Sequence, residues 1–297
     1  TTDGGGNVFG AGRGMLPDVY TYVDKAHKPK RMMAYDAEKY KDSNKDDWDP
    51  YETTGATQNV WEYFPNENKY IEFIRTQALS SQTDVTISGN AIIKGSVYGG
   101  SENGIVQYDT KVKVTGGTIG TEGKGAAEYG NVYGGGKGYV DATRPNNILA
   151  GVIRGNTNVT IEDGTNTSPT IYHNIYGGGA YGSVGNITFD EVTYVPGQSA
   201  AIKHMPTAWE REGNTATSIN TGKATITITG GTIGTTGEEN GMVFGSSRGD
   251  VGVPDANGID KNDSLAWVYD TKVIIGGEGT SPTIKGSVYG SGENGHV

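Results

Sequence analysis

One short phrase recurs six times along this chain of 297 residues and constrains the fold more than any other feature. Each copy is an aliphatic residue followed by an aromatic residue and a glycine, usually with more glycines behind it. The copies begin at Val8, Val97, Val132, Ile175, Val243 and Val288. A phrase that returns at intervals of tens of residues is typical of repeat architectures, in which each unit stacks on the next.

A second phrase precedes five of the six copies and alternates β-branched residues with polar ones, as in Val85-Thr86-Ile87 and Val159-Thr160-Ile161. Alternation with a period of two predicts a strand with one buried face. A third aliphatic lies between the two phrases, at Ile93, Ile119, Ile171, Ile233 and Ile284. A fourth follows the aromatic phrase, and we align it as Val106, Val140, Val184, Val251 and Val297. Each unit is therefore predicted to hold several short strands separated by glycine turns.

Equivalent strands carry the same residue types in the same order, which favours parallel stacking with like residues over like residues. The sequence predicts an all-β fold, a right-handed parallel β-helix (a β-solenoid) with loop insertions at one corner, although the residue pattern itself does not determine the hand. A β-sandwich is the alternative. Composition favours the solenoid, because 49 glycines and only 34% hydrophobic residues suit a thin core repeated along an axis.

We interpret residues 1–297 as a single β-helix segment of a longer protein, since the pattern is interrupted at both ends. Two long stretches break the repeat, an inserted loop or subdomain at residues 17–83 and a second insertion at residues 185–223. Insertions that share a corner project from one side of a solenoid, and that side is often its binding face.

The first insertion is rich in aromatic residues and supplies the candidate ligand-facing side chains Trp48, Tyr51, Trp61 and Tyr63. Aromatic faces suit the apolar side of a sugar ring. The alternative is a satellite hydrophobic cluster that holds a loop poor in aliphatic residues.

The same insertion contains a calcium candidate, because Asp42, Asn44 and Asp46 match the alternating oxygen ligands that open a calcium-binding loop. The match ends there. Asp47 stands where the tight turn requires glycine, and Thr53 stands where a bidentate glutamate is expected. A solvated acidic loop is the alternative, and no other cofactor is predicted.

Charge and composition exclude several classes of function. A net charge of −10 disfavours nucleic acid as a partner. The absence of cysteine excludes disulfides and zinc-thiolate sites. No apolar run approaches the roughly 20 residues that span a bilayer, so no direct membrane insertion is predicted for this segment. The four histidines are scattered without the spacing of a metal site or a catalytic triad, at His27, His173, His204 and His296.

The phrases at Thr110 to Ile119 and Asn131 to Gly136 resemble the glycine-rich β-helix repeats of large, adhesin-like bacterial surface proteins. The resemblance implies a non-catalytic scaffold in an extracellular or cell-surface location, with a host or cell-surface glycan or protein as its partner. A β-helix polysaccharide lyase or glycoside hydrolase is the first alternative. An ice-binding or phage-fibre solenoid is the second, for which Thr225 to Thr229 is the only good alternating threonine array.

Overall fold

A computed structural model of the chain describes residues 6–14, 53–54, 57–58, 78–121, 129–140, 150–189, 206–209, 221–235, 240–250 and 265–297. These residues form an all-β structure without a helix. The strands in chain order are β1 (Val8–Phe9), β2 (Thr53–Thr54), β3 (Thr57–Gln58), β4 (Thr83–Ile87), β5 (Ile92–Ile93), β6 (Val97–Tyr98), β7 (Thr110–Val114), β8 (Thr118–Ile119), β9 (Val132–Tyr133), β10 (Thr157–Ile161), β11 (Thr170–Ile171), β12 (Ile175–Tyr176), β13 (Ile187–Phe189), β14 (Pro206–Trp209), β15 (Lys223–Ile228), β16 (Thr232–Ile233), β17 (Val243–Phe244), β18 (Asp270–Ile275), β19 (Thr283–Ile284) and β20 (Val288–Tyr289).

Sixteen of the twenty strands belong to three parallel sheets. The long-strand sheet contains β4, β7, β10, β15 and β18, and the Thr-Ile sheet contains β5, β8, β11, β16 and β19. The aromatic sheet contains β1, β6, β9, β12, β17 and β20. The chain visits the three sheets in this order and then begins the next coil, so each strand pairs with its equivalent in the neighbouring coil. Parallel strands stacked in this way are consistent with a β-solenoid.

Residues in adjacent coils pair with their equivalents, as the sequence predicts. Val97 pairs with Val132 and Tyr98 with Tyr133 between β6 and β9. The long strands keep the same register over their whole length, so that Val112 of β7 pairs with Val159 of β10. The prediction of parallel, in-register stacking is confirmed.

The core is a narrow column of aliphatic side chains between the three sheets. Alternate residues of the long strands are buried, for example Thr110, Val112 and Val114 in β7, while Lys111 and Lys113 between them are exposed. Ile119 from the Thr-Ile sheet and Val132 from the aromatic sheet complete the same coil, and both are fully buried. Each coil therefore buries only a few aliphatic residues, and the core grows by stacking.

A fourth column of single bridges follows the aromatic sheet and connects Ser80, Val106, Ile153 and Val184. The alignment of Val140 with Val106 is therefore wrong, because Ile153 occupies that place. Val140 instead packs against Leu265 and Ala266. At the last coil the bridge is made by His296, paired with Trp267, and not by Val297.

The corrected alignment places the interruptions on both sides of this bridge column. Residues 141–149 come before Ile153 in the chain, whereas residues 190–205 and 210–220 come after Val184. Within the predicted second insertion, β13 pairs with β14 in an antiparallel hairpin. Within the predicted first insertion, β2 pairs with β3, also antiparallel. The boundaries of the two insertions stay predictions.

Candidate functional site

The aromatic residues of the aromatic sheet form one continuous stack. Neighbouring ring centroids are 4.7 to 5.1 Å apart, and neighbouring ring planes lie within 11° of each other. The stack runs through Phe9, Tyr98, Tyr133, Tyr176, Phe244 and Tyr289. Successive residues of a strand point to opposite faces. Since the preceding valine or isoleucine faces the aliphatic core, the rings lie on the outer face of this sheet.

The glycine after each ring allows adjacent coils to approach closely. A Cβ atom on Gly134 would lie 2.2 Å from the carbonyl oxygen of Gly177 in the next coil. Gly99 has the same relation to Gly134, again at 2.2 Å. Real Cβ atoms do not come so near to a backbone oxygen, so any larger residue would push the coils apart. The glycine column is therefore a requirement of the stacking.

Two tyrosine hydroxyls in the stack have different surroundings. The hydroxyl of Tyr176 donates to Glu293 Oε2 at 2.5 Å and accepts from Asn174 Nδ2 at 3.2 Å. Burial, together with the hydrogen bond and the negative charge of Glu293, raises the pKa of Tyr176 above its ordinary value of 10.0. The hydroxyl of Tyr133 is buried and has no hydrogen-bond partner among the described residues. Burial also raises the pKa of Tyr133.

A charged side chain stands four residues after the stacked ring in five of the six coils, and Ala180 stands there in the remaining one. Glu102 accepts from Arg13 Nε at 3.2 Å and pairs with Lys137 Nζ at 3.4 Å. Further along, Arg248 Nη1 donates to the Tyr181 hydroxyl at 3.2 Å, and its guanidinium carbon lies 5.6 Å from the centre of that ring. Exposed ion pairs of this kind contribute little to stability. Side chains of both signs therefore occur along this column.

A ladder of buried polar side chains joins the coils just before the aromatic sheet. The side-chain oxygen of each residue accepts a hydrogen bond from the backbone N–H at the same position of the next coil. Asn131 Oδ1 accepts from Asn174 N at 2.9 Å, and Asn174 Oδ1 accepts from Met242 N at 2.9 Å. Asn7 and Ser96 make the same contacts in the earlier coils. These side chains satisfy backbone donors that burial would otherwise leave unpaired.

Threonine at the start of the long strand makes a second recurring contact. Thr110 Oγ1 donates to the carbonyl oxygen of Gly134 at 2.6 Å, and Thr157 Oγ1 donates to that of Gly177 at 2.6 Å. The bond connects the long-strand sheet to the aromatic sheet within one coil. These recurring buried polar groups are thus engaged in hydrogen bonds that hold the coils together.

The candidate ligand-facing residues Trp48, Tyr51, Trp61 and Tyr63 lie outside the described residues. The candidate calcium ligands Asp42, Asn44 and Asp46 lie outside them too. Within the described part of the chain, no three His, Cys, Asp or Glu side chains are grouped so that they could hold a metal ion.

Two of the four histidines lie in the described part of the chain, and both contact other residues of the fold. His173 is buried, and its Nδ1 contacts the backbone oxygen of Tyr129. The ring of His296 stacks on Trp267 with the centroids 4.5 Å apart. Neither histidine belongs to a group of metal-binding side chains among the described residues.

Sequence reasoning missed a pair of exposed tyrosines beside the bridge column. Tyr108 is 61% exposed and Tyr269 is 44% exposed, whereas in the aromatic stack the inner rings are buried and the last ring, Tyr289, is 46% exposed. Each stands two residues before the first threonine of a long strand, Thr110 and Thr271. The signal that could have revealed them is a repeated pentapeptide, which reads identically at residues 108–112 and 269–273.

The fold and these ladders define a repeat protein built from stacked parallel β-coils. Searches against protein-family models, curated proteins and solved structures found no match. In the part of the chain that the structure describes, no helix is long and apolar enough to cross a membrane.

Proposed function

We propose that this chain is a non-catalytic, adhesin-like scaffold, a right-handed parallel β-helix segment of an extracellular or bacterial cell-surface protein. Its coils form a rod, and its insertions present binding surfaces to a glycan or to a protein partner. The proposal rests on the resemblance of the repeated phrases to those of bacterial surface proteins. It also rests on the hydrogen bonds that buried polar side chains of the coils make to the backbone.

The observation that carries the proposal is that the recurring buried polar side chains bind the protein's own backbone. Asn131, Asn174, Thr110 and Thr157 each form a hydrogen bond to a backbone group in their own or a neighbouring coil. Such contacts satisfy buried donors and acceptors and stabilise the stacking. Recognition of a partner then falls to the insertions and to the exposed residues around the bridge column.

The insertions suit a display role because they interrupt the coils without disturbing the register. The strands before and after residues 190–220 belong to successive coils, and Val159 of β10 still pairs with Ile226 of β15. Long surface segments are tolerated at such positions, and binding residues are often carried on loops held by a rigid scaffold.

The direct test combines a glycan array with an assay for polysaccharide cleavage, both on the full 297-residue chain. We expect binding without release of reducing ends or unsaturated products. Cleavage of any bound polysaccharide would contradict the scaffold and favour a carbohydrate-active enzyme.

A further inference from the structure

Three tyrosines stand next to one another in the middle of the aromatic stack, and a phenylalanine lies on each side of them. The tyrosines are Tyr98, Tyr133 and Tyr176, and the flanking residues are Phe9 and Phe244. Between the tyrosines the ring centroids are 4.7 Å apart, and the ring planes lie within 8° of each other. All three tyrosines are buried. Nearly parallel rings at this separation have overlapping π systems, so an electron can pass from one ring to the next.

The flanking phenylalanines confine an electron deficiency, or hole, to the tyrosines. A phenol gives up an electron more readily than a plain phenyl ring, because its oxygen donates electron density into the ring. An electron removed from one tyrosine is therefore replaced from another tyrosine and not from Phe9 or Phe244. The three rings span about 10 Å along the axis at the usual spacing of parallel strands.

The surroundings of Tyr133 prevent a hole from resting there. An oxidised phenol is a strong acid and must lose its proton to become a stable neutral radical. The hydroxyl of Tyr133 is buried and has no hydrogen-bond partner among the described residues, so it has no acceptor for that proton. Burial raises the pKa of Tyr133, and the nearby positive charge of Arg248 opposes that rise. A positive charge on this ring would be buried, unpaired and close to another cation, which is costly.

Tyr176 has the proton acceptor that Tyr133 lacks. Its hydroxyl donates to Glu293 Oε2 at 2.5 Å, the length of a strong hydrogen bond to a carboxylate. When Tyr176 loses an electron, its O–H bond breaks and the proton passes to Glu293 Oε2. The products are a neutral tyrosyl radical and a neutral carboxylic acid, and the electron goes to the oxidant. No positive charge is then left in the buried stack.

From this arrangement we infer that the three tyrosines form a hole relay. A one-electron oxidant at the Tyr98 end of the relay leaves its radical on Tyr176, and Tyr133 transmits the electron between them without losing its own proton. This activity goes beyond the scaffold, because it uses residues of the coils and requires no partner on the insertions. The stack that stabilises the coils thus also carries oxidising equivalents to one buried position.

The test is flash photolysis of the full chain with a ruthenium polypyridyl label on one introduced cysteine. The chain has no cysteine of its own, so the label has a single site. Arg13 lies in the coil before Tyr98 and Asp250 in the coil after Tyr176, and both are exposed. Arg13→Cys and Asp250→Cys therefore place the label on opposite sides of the relay. Light and a soluble electron acceptor convert the label to a one-electron oxidant, and transient absorption measures the yield of tyrosyl radical.

The part of the radical yield that Tyr176→Phe removes is the Tyr176 signal. With the Arg13→Cys label, we expect Tyr133→Phe to abolish this signal, because the relay is interrupted. With the Asp250→Cys label, Tyr133→Phe should leave it unchanged, because the label reaches Tyr176 from the other side. The second label is the matched control for any indirect effect of Tyr133→Phe on Tyr176. Glu293→Gln should abolish the signal with either label, and thermal unfolding shows that each variant keeps its fold.

An undiminished Tyr176 signal in Tyr133→Phe with the Arg13→Cys label would overturn the relay. A radical yield that Tyr176→Phe leaves unchanged with both labels would overturn it as well, since no hole would then rest on Tyr176. An undiminished signal in Glu293→Gln would overturn the transfer of the proton on which the inference depends. None of these results bears on the scaffold proposal, which fails instead if the chain cleaves a polysaccharide.

Discussion

Two coils of the same protein differ in their side-chain hydrogen bonds. Their comparison separates the contacts that stacking requires from those that only add stability. In the coil that begins at Thr110, the threonine hydroxyl bonds the Gly134 oxygen, and Asn131 accepts a hydrogen bond from the next coil. In the coil that begins at Lys223, alanine stands at the threonine position as Ala224, and methionine stands at the asparagine position as Met242. This second coil lacks both side-chain hydrogen bonds and keeps its register.

Both coils retain the glycine after the aromatic residue and the ring itself. A Cβ on Gly245 would lie 2.4 Å from the Gly290 oxygen, close to the 2.2 Å found for Gly134. Tyr133 and Phe244 both belong to the aromatic stack. The comparison indicates that close approach and aromatic stacking are obligatory, whereas the polar ladders add stability where they occur.

The largest loss of stability should come from replacing the glycine that both coils have after the aromatic residue. Gly134→Ala places a Cβ against a backbone oxygen of the next coil, and we expect a loss of about 3 kcal/mol or more in the free energy of unfolding. Gly290→Ala is the matched control, because a Cβ there meets nothing within 4 Å. Urea unfolding of both variants measures the difference. Equal stability of the two variants would show that close approach does not limit the coils.

Removing a ladder contact from the first coil should have a smaller effect. Asn131→Ala leaves the buried N–H of Asn174 without an acceptor, and we expect a loss of about 1–3 kcal/mol. Asn158→Ala removes an exposed asparagine from the outer face of β10 and should change stability by less than about 0.5 kcal/mol. The same unfolding experiment compares them. A similar result for both asparagines would mean that the ladder contributes nothing to stability.

The two buried tyrosine hydroxyls provide a comparison within the aromatic stack. Tyr176→Phe removes hydrogen bonds to Glu293 and Asn174, and we expect a loss of about 1 kcal/mol. Tyr133→Phe removes a buried hydroxyl that has no partner among the described residues, and it should leave stability unchanged or raise it by up to about 1 kcal/mol. Thermal unfolding checks the sign of each change. A greater loss of stability for Tyr133→Phe than for Tyr176→Phe would contradict the roles assigned to these two hydroxyls.

The smallest effect should come from restoring a contact that the second coil lacks. Ala224→Thr places a hydroxyl where Thr110 and Thr157 bond a glycine oxygen, here that of Gly245. We expect a gain of about 0.5–1.5 kcal/mol. Ala224→Val has nearly the same shape without the hydroxyl, and it should give no comparable gain. If the valine variant were as stable as the threonine variant, filling of space would explain the change and the hydrogen bond would not.

The stacking could be predicted from the sequence because it depends on residues that repeat. An aliphatic residue, an aromatic residue and a glycine recur as a unit, as in Val97, Tyr98 and Gly99, and like residues face each other across parallel strands. The bridge column was harder to predict, since twelve residues separate Val140 from the true equivalent of Val106, which is Ile153. The spacing of residues in the sequence does not show whether an insertion comes before or after the residue of the bridge column.

The polar ladders and the repeated tyrosines left signals in the sequence that could be interpreted only with the structure. Asn131 and Asn174 stand at the start of the repeated phrase, yet their partner is a backbone group of another coil, distant in the chain. Tyr108 and Tyr269 belong to identical pentapeptides separated by more than a hundred residues. The strand register shows that they share a column and that glycines separate them.

The most direct test of the central claim is disulfide formation between pairs of introduced cysteines on the exposed face of the long-strand sheet. The chain has no cysteine of its own, so each pair reports without background. Lys113 pairs with Thr160 in the neighbouring coil, and Thr160 pairs with Thr227 in the next. Adjacent parallel strands, about 4.8 Å apart, lie within disulfide range, whereas positions two rungs apart do not. We predict that K113C/T160C and T160C/T227C cross-link under mild oxidation and that K113C/T227C does not. Cross-linking of K113C/T227C with failure of the two adjacent pairs would contradict parallel, in-register stacking of the coils.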